Sequence, residues 1–228
     1  MDSFLSHVDA RWQLEPNTVG LIGYKYRLAD YTGDEKIGED PLTGADLTSK
    51  VRDSRMHYVY GGVDHTFLPN LSGSVRAGAS FIDYYNDPNN ENDVAPYVMA
   101  SLKYNYMVES SVDAGFSYDR TATDQFSVSD GGKVLHDSQS GTLWASISHR
   151  LAPQLYGGIT GQIQNSEYKG GQQNNESDWF YLVGLNLEYR FNRNLSAQVG
   201  YNFDKLDSQI NGRDFDRNRV YIGLTAGY

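Results

Sequence analysis

The chain has 228 residues, of which 39% are hydrophobic, with mean hydropathy -0.57 and a formal net charge of -10. That charge argues against nucleic acid as a partner, since a phosphate-binding surface needs clustered Lys and Arg. The absence of cysteine removes disulfides, thiolate metal sites and thiol nucleophiles.

In chain order, the first strand signal places Phe4, Val8, Ala10, Trp12 and Leu14 on one face and ends at the turn Leu14-Glu15-Pro16-Asn17. The next strand carries Lys25 and Arg27 and runs into a polar segment from Tyr31 to Ser54, with acidic pairs Asp34-Glu35 and Glu39-Asp40. Beyond it, His57, Val59, Gly61, Val63 and Phe67 oppose Tyr58, Tyr60 and Asp64; after Pro69-Asn70, Val75, Ala77, Ala79 and Phe81 oppose Arg76, Gly78 and Ser80. Asn86 to Asp93 reads as a loop. Val98, Ala100, Leu102, Tyr104 and Tyr106 then oppose Ser101, Lys103 and Asn105, and past Met107-Val108-Glu109-Ser110 the apolar Val112, Ala114, Phe116 and Tyr118 oppose Asp113, Gly115, Ser117 and Asp119.

A long polar segment from Thr121 to Ser140, a tight turn at Leu151-Ala152-Pro153-Gln154 and a loop from Lys169 to Asp178 come next. From Trp179 to Phe191 every odd position is apolar or aromatic, while Gly184, Asn186, Glu188 and Arg190 face the other way. After Phe191-Asn192-Arg193-Asn194, Leu195, Ala197, Val199, Tyr201 and Phe203 alternate with Ser196, Gln198, Gly200, Asn202 and Asp204. Asn211-Gly212, the usual type I′ signal, tips the loop from Asp207 to Arg217.

Tight turns thus alternate with long loops along the whole chain. The repeat leaves room for two long strands where a propeller blade needs four short ones. About eleven strands result, each near or above the ~9–11 residues that cross a bilayer, whereas the strands of a soluble sandwich average nearer 5–6. No run approaches the roughly 18 apolar residues of a spanning helix. The expected fold is an all-β, transmembrane up-and-down antiparallel β-barrel, with outer-membrane lipid against its apolar face and aromatics such as Trp179, Tyr189 and Phe191 at the interfaces.

The last strand places Val220, Ile222, Leu224, Ala226 and Tyr228 on one face and ends on the aromatic residue. It resembles the C-terminal assembly signal of outer-membrane β-barrels, which implies recognition by the barrel-assembly machinery. Together with the Tyr-rich strands, the Leu-Pro-Asn-Leu turn and the Arg-Asn-Arg-Val-Tyr-Ile-Gly approach to the final strand, the chain resembles the β-barrel porins of type 2 over nearly its whole length. That resemblance implies a bacterial outer-membrane location and suggests an association with polysaccharide secretion. Counting back from a periplasmic C-terminus makes the first strand start outside the cell, against the even-strand habit of such barrels. No secretory signal stands at Met1. Residues 1–228 are therefore expected to be one β-barrel domain that forms the C-terminal part of a longer, N-terminally truncated barrel.

Chemistry beyond conduction finds little support. His7 and His57 fall on strands, His65 and His149 near tight turns, and His136 beside Asp137, where neighbours on a strand face opposite ways. The segment from Asp87 to Asp93 spaces oxygen ligands as a calcium loop does, but Asn92 replaces the Gly at the sixth position and Val98 the Glu at the twelfth. No catalytic residue, metal or cofactor is expected. The candidate lumen-lining set is Lys25, Arg27, Asp64, Arg76, Lys103, Asp113, Asp119, Arg150, Glu188, Arg190, Asp204 and Arg219, which either line water and set selectivity or pair into salt bridges that hold the wall. A porin-like barrel for diffusion or export of polar solutes is the leading expectation. A structural or adhesive barrel with ligand-binding loops is the second, and a barrel enzyme the third.

Overall fold

The computed structural model describes residues 2–87, 92–123 and 125–227. Its strands are β1 (Asp2–Glu15), β2 (Thr18–Asp30), β3 (Lys36–Glu39), β4 (Asp46–Thr48), β5 (Ser54–Leu68), β6 (Leu71–Asp83), β7 (Asn92–Met107), β8 (Ser110–Ala122), β9 (Asp137–Ala152), β10 (Leu155–Lys169), β11 (Ser177–Asn192), β12 (Leu195–Ser208) and β13 (Phe215–Ala226). Eleven of them form one sheet in the order β1-β2-β5-β6-β7-β8-β9-β10-β11-β12-β13, and each consecutive pair is antiparallel. With an odd number of strands, β1 and β13 run in the same direction. They are the two ends of the sheet, and among the described residues no ladder joins them.

Five two-residue turns connect β1 to β2, β5 to β6, β7 to β8, β9 to β10 and β11 to β12, at the positions read from the sequence. Pro16, Pro69 and Pro153 each open such a turn, where a φ preset near -65° and a missing N–H cost nothing. The turn at Val108-Glu109 has no proline and instead holds Glu109 at φ 56. Two expectations need correction. The segment from Tyr31 to Ser54 is not a plain loop: it contains the β3–β4 hairpin and a 3-10 turn at Ser49–Arg52. Asn211-Gly212 does tip its loop, but only Gly212 has positive φ (80). Type I′ needs it at both central residues, so the geometry is that of a turn with glycine in third place.

Pro96 explains the split that the main sheet shows among the described residues. The β7–β8 ladder stops at Val98↔Tyr118, although both strands continue toward the long-loop end. Proline cannot donate to a ladder, and it stands two residues beyond the last pair.

Curvature follows from contacts between strands that are not neighbours. Lys25 on β2 lies 3.8 Å from Asp119 on β8, four ladders away, a span of about 19 Å on a flat sheet at roughly 4.8 Å per strand. Tyr60 on β5 donates to Asp9 on β1 at 2.7 Å, and Arg11 reaches Asp64 at 3.2 Å. The face that carries these residues is therefore concave. Leu21, Met56, Tyr58, Tyr60, Ile82, Tyr84 and Tyr97 form a buried cluster; Tyr84, just past β6, lies at its long-loop end.

Candidate functional site: the concave face

Alternation decides what each face presents. On β11, Val183, Leu185 and Leu187 are exposed on the convex side, and Gly184 and Asn186 turn inward. The same convex surface holds Ile22, Val59, Val75, Phe81, Leu143, Ile159, Val199 and Ile222, all exposed. A continuous apolar exterior around a polar interior is stable in hydrocarbon and costly in water.

The charges singled out in the sequence occupy register positions of the concave face, and most are paired. Asp64 meets Arg76 and Arg11, each at 3.2 Å. Lys103 and Asp113, opposite one another on β7 and β8, are 3.5 Å apart. Arg190 forms two bonds to Glu188 and lies 3.9 Å from the Tyr156 ring centroid. Arg150 reaches Glu109 at 2.7 Å, and Asp204, fully buried, holds both Arg217 and Arg219 at 2.9 Å. Lys25 is held by Asp119 and by the faces of Tyr58 (3.6 Å) and Tyr97 (4.7 Å). Arg27 sits beside this group on β2, opposite Met56.

At the long-loop end, segments from different parts of the chain converge. Leu47 and Val51 pack with Val134, flanked by Ile37, Phe126 and Val128, so the hairpin loop and the β8–β9 loop meet although their strands stand apart in the sheet. Arg52 donates to the Thr123 carbonyl, and Asp53 accepts from the Tyr31 backbone and from Asn86. Arg120 bridges Asp93 and Asp137 beside the β7–β8 split, and Tyr84 donates to Asp137. Burial and then the adjacent Asp137 carboxylate push the Tyr84 phenol well above its ordinary range. His136 stacks on Tyr84 with centroids 4.0 Å apart and pairs with Asp87 at 2.8 Å. The neighbouring His136 and Asp137 thus share Tyr84 but take different ionic partners, Asp87 and Arg120, and no relay pair forms between them.

Among the described residues no cluster of His, Asp or Glu has the makings of a metal site. The calcium-like segment falls mostly on residues 88–91, outside the described residues, as does Tyr228. The other residues of the expected terminal signal, Val220, Ile222, Leu224 and Ala226, lie on the convex face of β13.

Residues 136–228 match the family model described as Putative beta-barrel porin 2. This porin match covers β9 to β13, the part with the most regular alternation. The outer-membrane channel DcaP of Acinetobacter baumannii is similar in fold, with TM-score 0.65 and 13% identity over 97% of this chain and 62% of that one. The copper transporter OprC gives TM-score 0.63 at 10% identity over 99% and 42%, and the TodX monoaromatic hydrocarbon channel 0.52 at 10% over 98% and 73%. These likenesses show the fold, and the chain spans less than two thirds of the length of OprC and of DcaP. No curated protein matches in sequence. The porin match, the strand lengths and the apolar exterior place the chain in the bacterial outer membrane, against lipid. The match is to porin barrels and not to enzymes.

Sequence reasoning passed over Trp144. Its neighbours Leu143 and Ile147 are exposed on the convex face, so parity alone turns Trp144 inward, opposite Gly115 and Gln162. The loop cluster was also missed, and its only signal was isolated Ile37, Leu47 and Val51 in a polar stretch.

Proposed function

We propose that this chain forms the wall of a non-enzymatic outer-membrane channel through which polar solutes diffuse or are exported. The observation that carries this reading is the opposition of the two faces: a predominantly apolar exterior against a concave interior of paired charges, hydroxyls and amides. Pairing of the lumenal charges holds the wall, and the conducted species need not be an ion. A secreted polysaccharide is the cargo suggested by the porin resemblance. The assembly machinery is the partner that would read Val220, Ile222, Leu224, Ala226 and Tyr228.

Further strands complete the barrel in this reading. Among the described residues the edges of β1 and β13 leave a row of backbone groups without ladder partners, each costing several kcal/mol in hydrocarbon, and closing the sheet with antiparallel strands requires an odd number more. A second reading, in which the loops bind a ligand and the barrel only displays them, draws on the packed loop cluster of Leu47, Val51 and Val134. Planar-bilayer recording of the full-length protein separates the two: steady open-channel current supports the channel, and a folded but silent barrel sinks it.

A further inference from the structure

One wall of the concave face differs from the rest. On β9, the inward positions from Ser138 to Ser148 are Ser or Thr except for Trp144, and on β10 those from Thr160 to Ser166 are Thr, Gln or Ser. No charge interrupts this stripe. Its groups are already linked along the wall: Gln162 donates to Gln164 at 3.3 Å, Gln164 to Ser166 at 2.9 Å, and Ser166 lies 2.8 Å from Ser140.

Trp144 stands within the stripe, half-buried, over Gly115, where a Cβ would come within 2.6 Å of the indole. Any other residue at 115 would displace the ring. The indole borders a cavity of about 610 Å³ at the tight-turn end, which also reaches Ser72, Ser74 and Ser101. The cavity's own charges are each paired, Lys103 with Asp113 and Asp64 with both Arg76 and Arg11, and all of them stand on the arc from β1 to β8 and not on the β9–β10 stripe. A wall of this kind offers no counter-charge to a desolvated ion. Hydroxyls and amides both donate and accept, so they can replace the water around a hydroxylated solute, while an indole face suits its C–H surface.

Ser138, Ser140 and Ser166 are buried and brace the wall, which leaves Thr142, Ser146, Ser148, Thr160, Gln162 and Gln164 open to the concavity. We propose that Trp144 and this open part of the hydroxyl-amide stripe form a binding surface for an uncharged, hydroxyl-rich solute with the chemistry of a neutral oligosaccharide. Its use in transport rests on the channel reading above. The test takes the full-length protein with maltohexaose as probe, polyethylene glycol of equal size as steric control and an oligogalacturonate as charged control. Single-channel current is one readout. The other is Trp144 emission in a form whose remaining tryptophans are Phe, since Trp12 and Trp179 are exposed on the convex face.

Maltohexaose should interrupt the current and shift the emission saturably, with neither control doing so as strongly. Trp144→Ala should shorten the blocked time at least fivefold, Trp144→Phe should keep it within twofold, and Leu143→Ala, on the lipid face, should leave it as it was. Equal block by polyethylene glycol, stronger block by oligogalacturonate, or block insensitive to Trp144→Ala overturns the site. A silent membrane with a saturable emission shift upholds the site and overturns the channel. Current with no response to maltohexaose does the reverse.

Discussion

The arc from β1 to β8 and the wing from β9 to β13 share one exterior and differ inside. In the arc, tyrosines and cross-strand ion pairs fill the concavity: Tyr58 is fully buried, and Lys25 ties β2 to β8. In the wing, charges pair along a strand or with the next one, as in Glu188 with Arg190 and Asp204 with Arg217 and Arg219, and β13 is exposed almost throughout. Exterior alternation thus fits both halves for lipid, while the interior side chains set which strands are tied together across the concavity. Long aromatic and cationic groups reach across and draw strands together, whereas Ser, Thr and Gln reach only their neighbours.

Deleting a filler should break that contrast most visibly. Tyr58→Ala should cost about 3–5 kcal/mol, the range for removing a buried aromatic side chain, in denaturant unfolding of the refolded barrel. Tyr221→Ala, inward but partly exposed on β13, should cost less than about 1 kcal/mol. Equal losses would mean the arc is no more tightly filled than the wing.

The shared exterior is tested next. Leu185→Arg should destabilise by roughly 2–4 kcal/mol as a charge near the bilayer midplane, whereas Asn186→Arg, one residue on and facing inward, should be mild. Similar damage from both would reverse the assignment of faces. A smaller effect belongs to the loops. Val51→Asp puts a carboxylate among Leu47 and Val134 and should cost about 1–3 kcal/mol, seen as faster amide exchange over residues 126–135 with the strand ladders unchanged. Faster exchange in the strands as well would show that the loop cluster supports the sheet. Smallest in stability is Ile222→Asn: it should lower the amount of barrel reaching the outer membrane several-fold while hardly moving the melting temperature of what does assemble, and normal assembly levels would remove the terminal-strand signal.

Much of the sheet was legible because period two is local. Each two-residue turn, each long connection and the lipid face of β11 and β12 can be read from residues adjacent in sequence. The same parity would have turned Trp144 inward. The β3–β4 hairpin was not legible, since its apolar residues Ile37 and Leu47 find their partners in Phe126, Val128 and Val134, beyond four intervening strands of the chain.

The amino-acid sequence by itself therefore determined that this chain is a run of long antiparallel strands with an apolar and a polar face, because alternation and turn chemistry act between neighbours. Only the tertiary structure decided which inward groups meet: His136 with Asp87 instead of Asp137, Arg120 between Asp93 and Asp137, and Lys25 with Asp119 across the concavity. Those partners lie on strands and loops brought together by curvature, and curvature depends on the volume and charge of all the inward side chains at once.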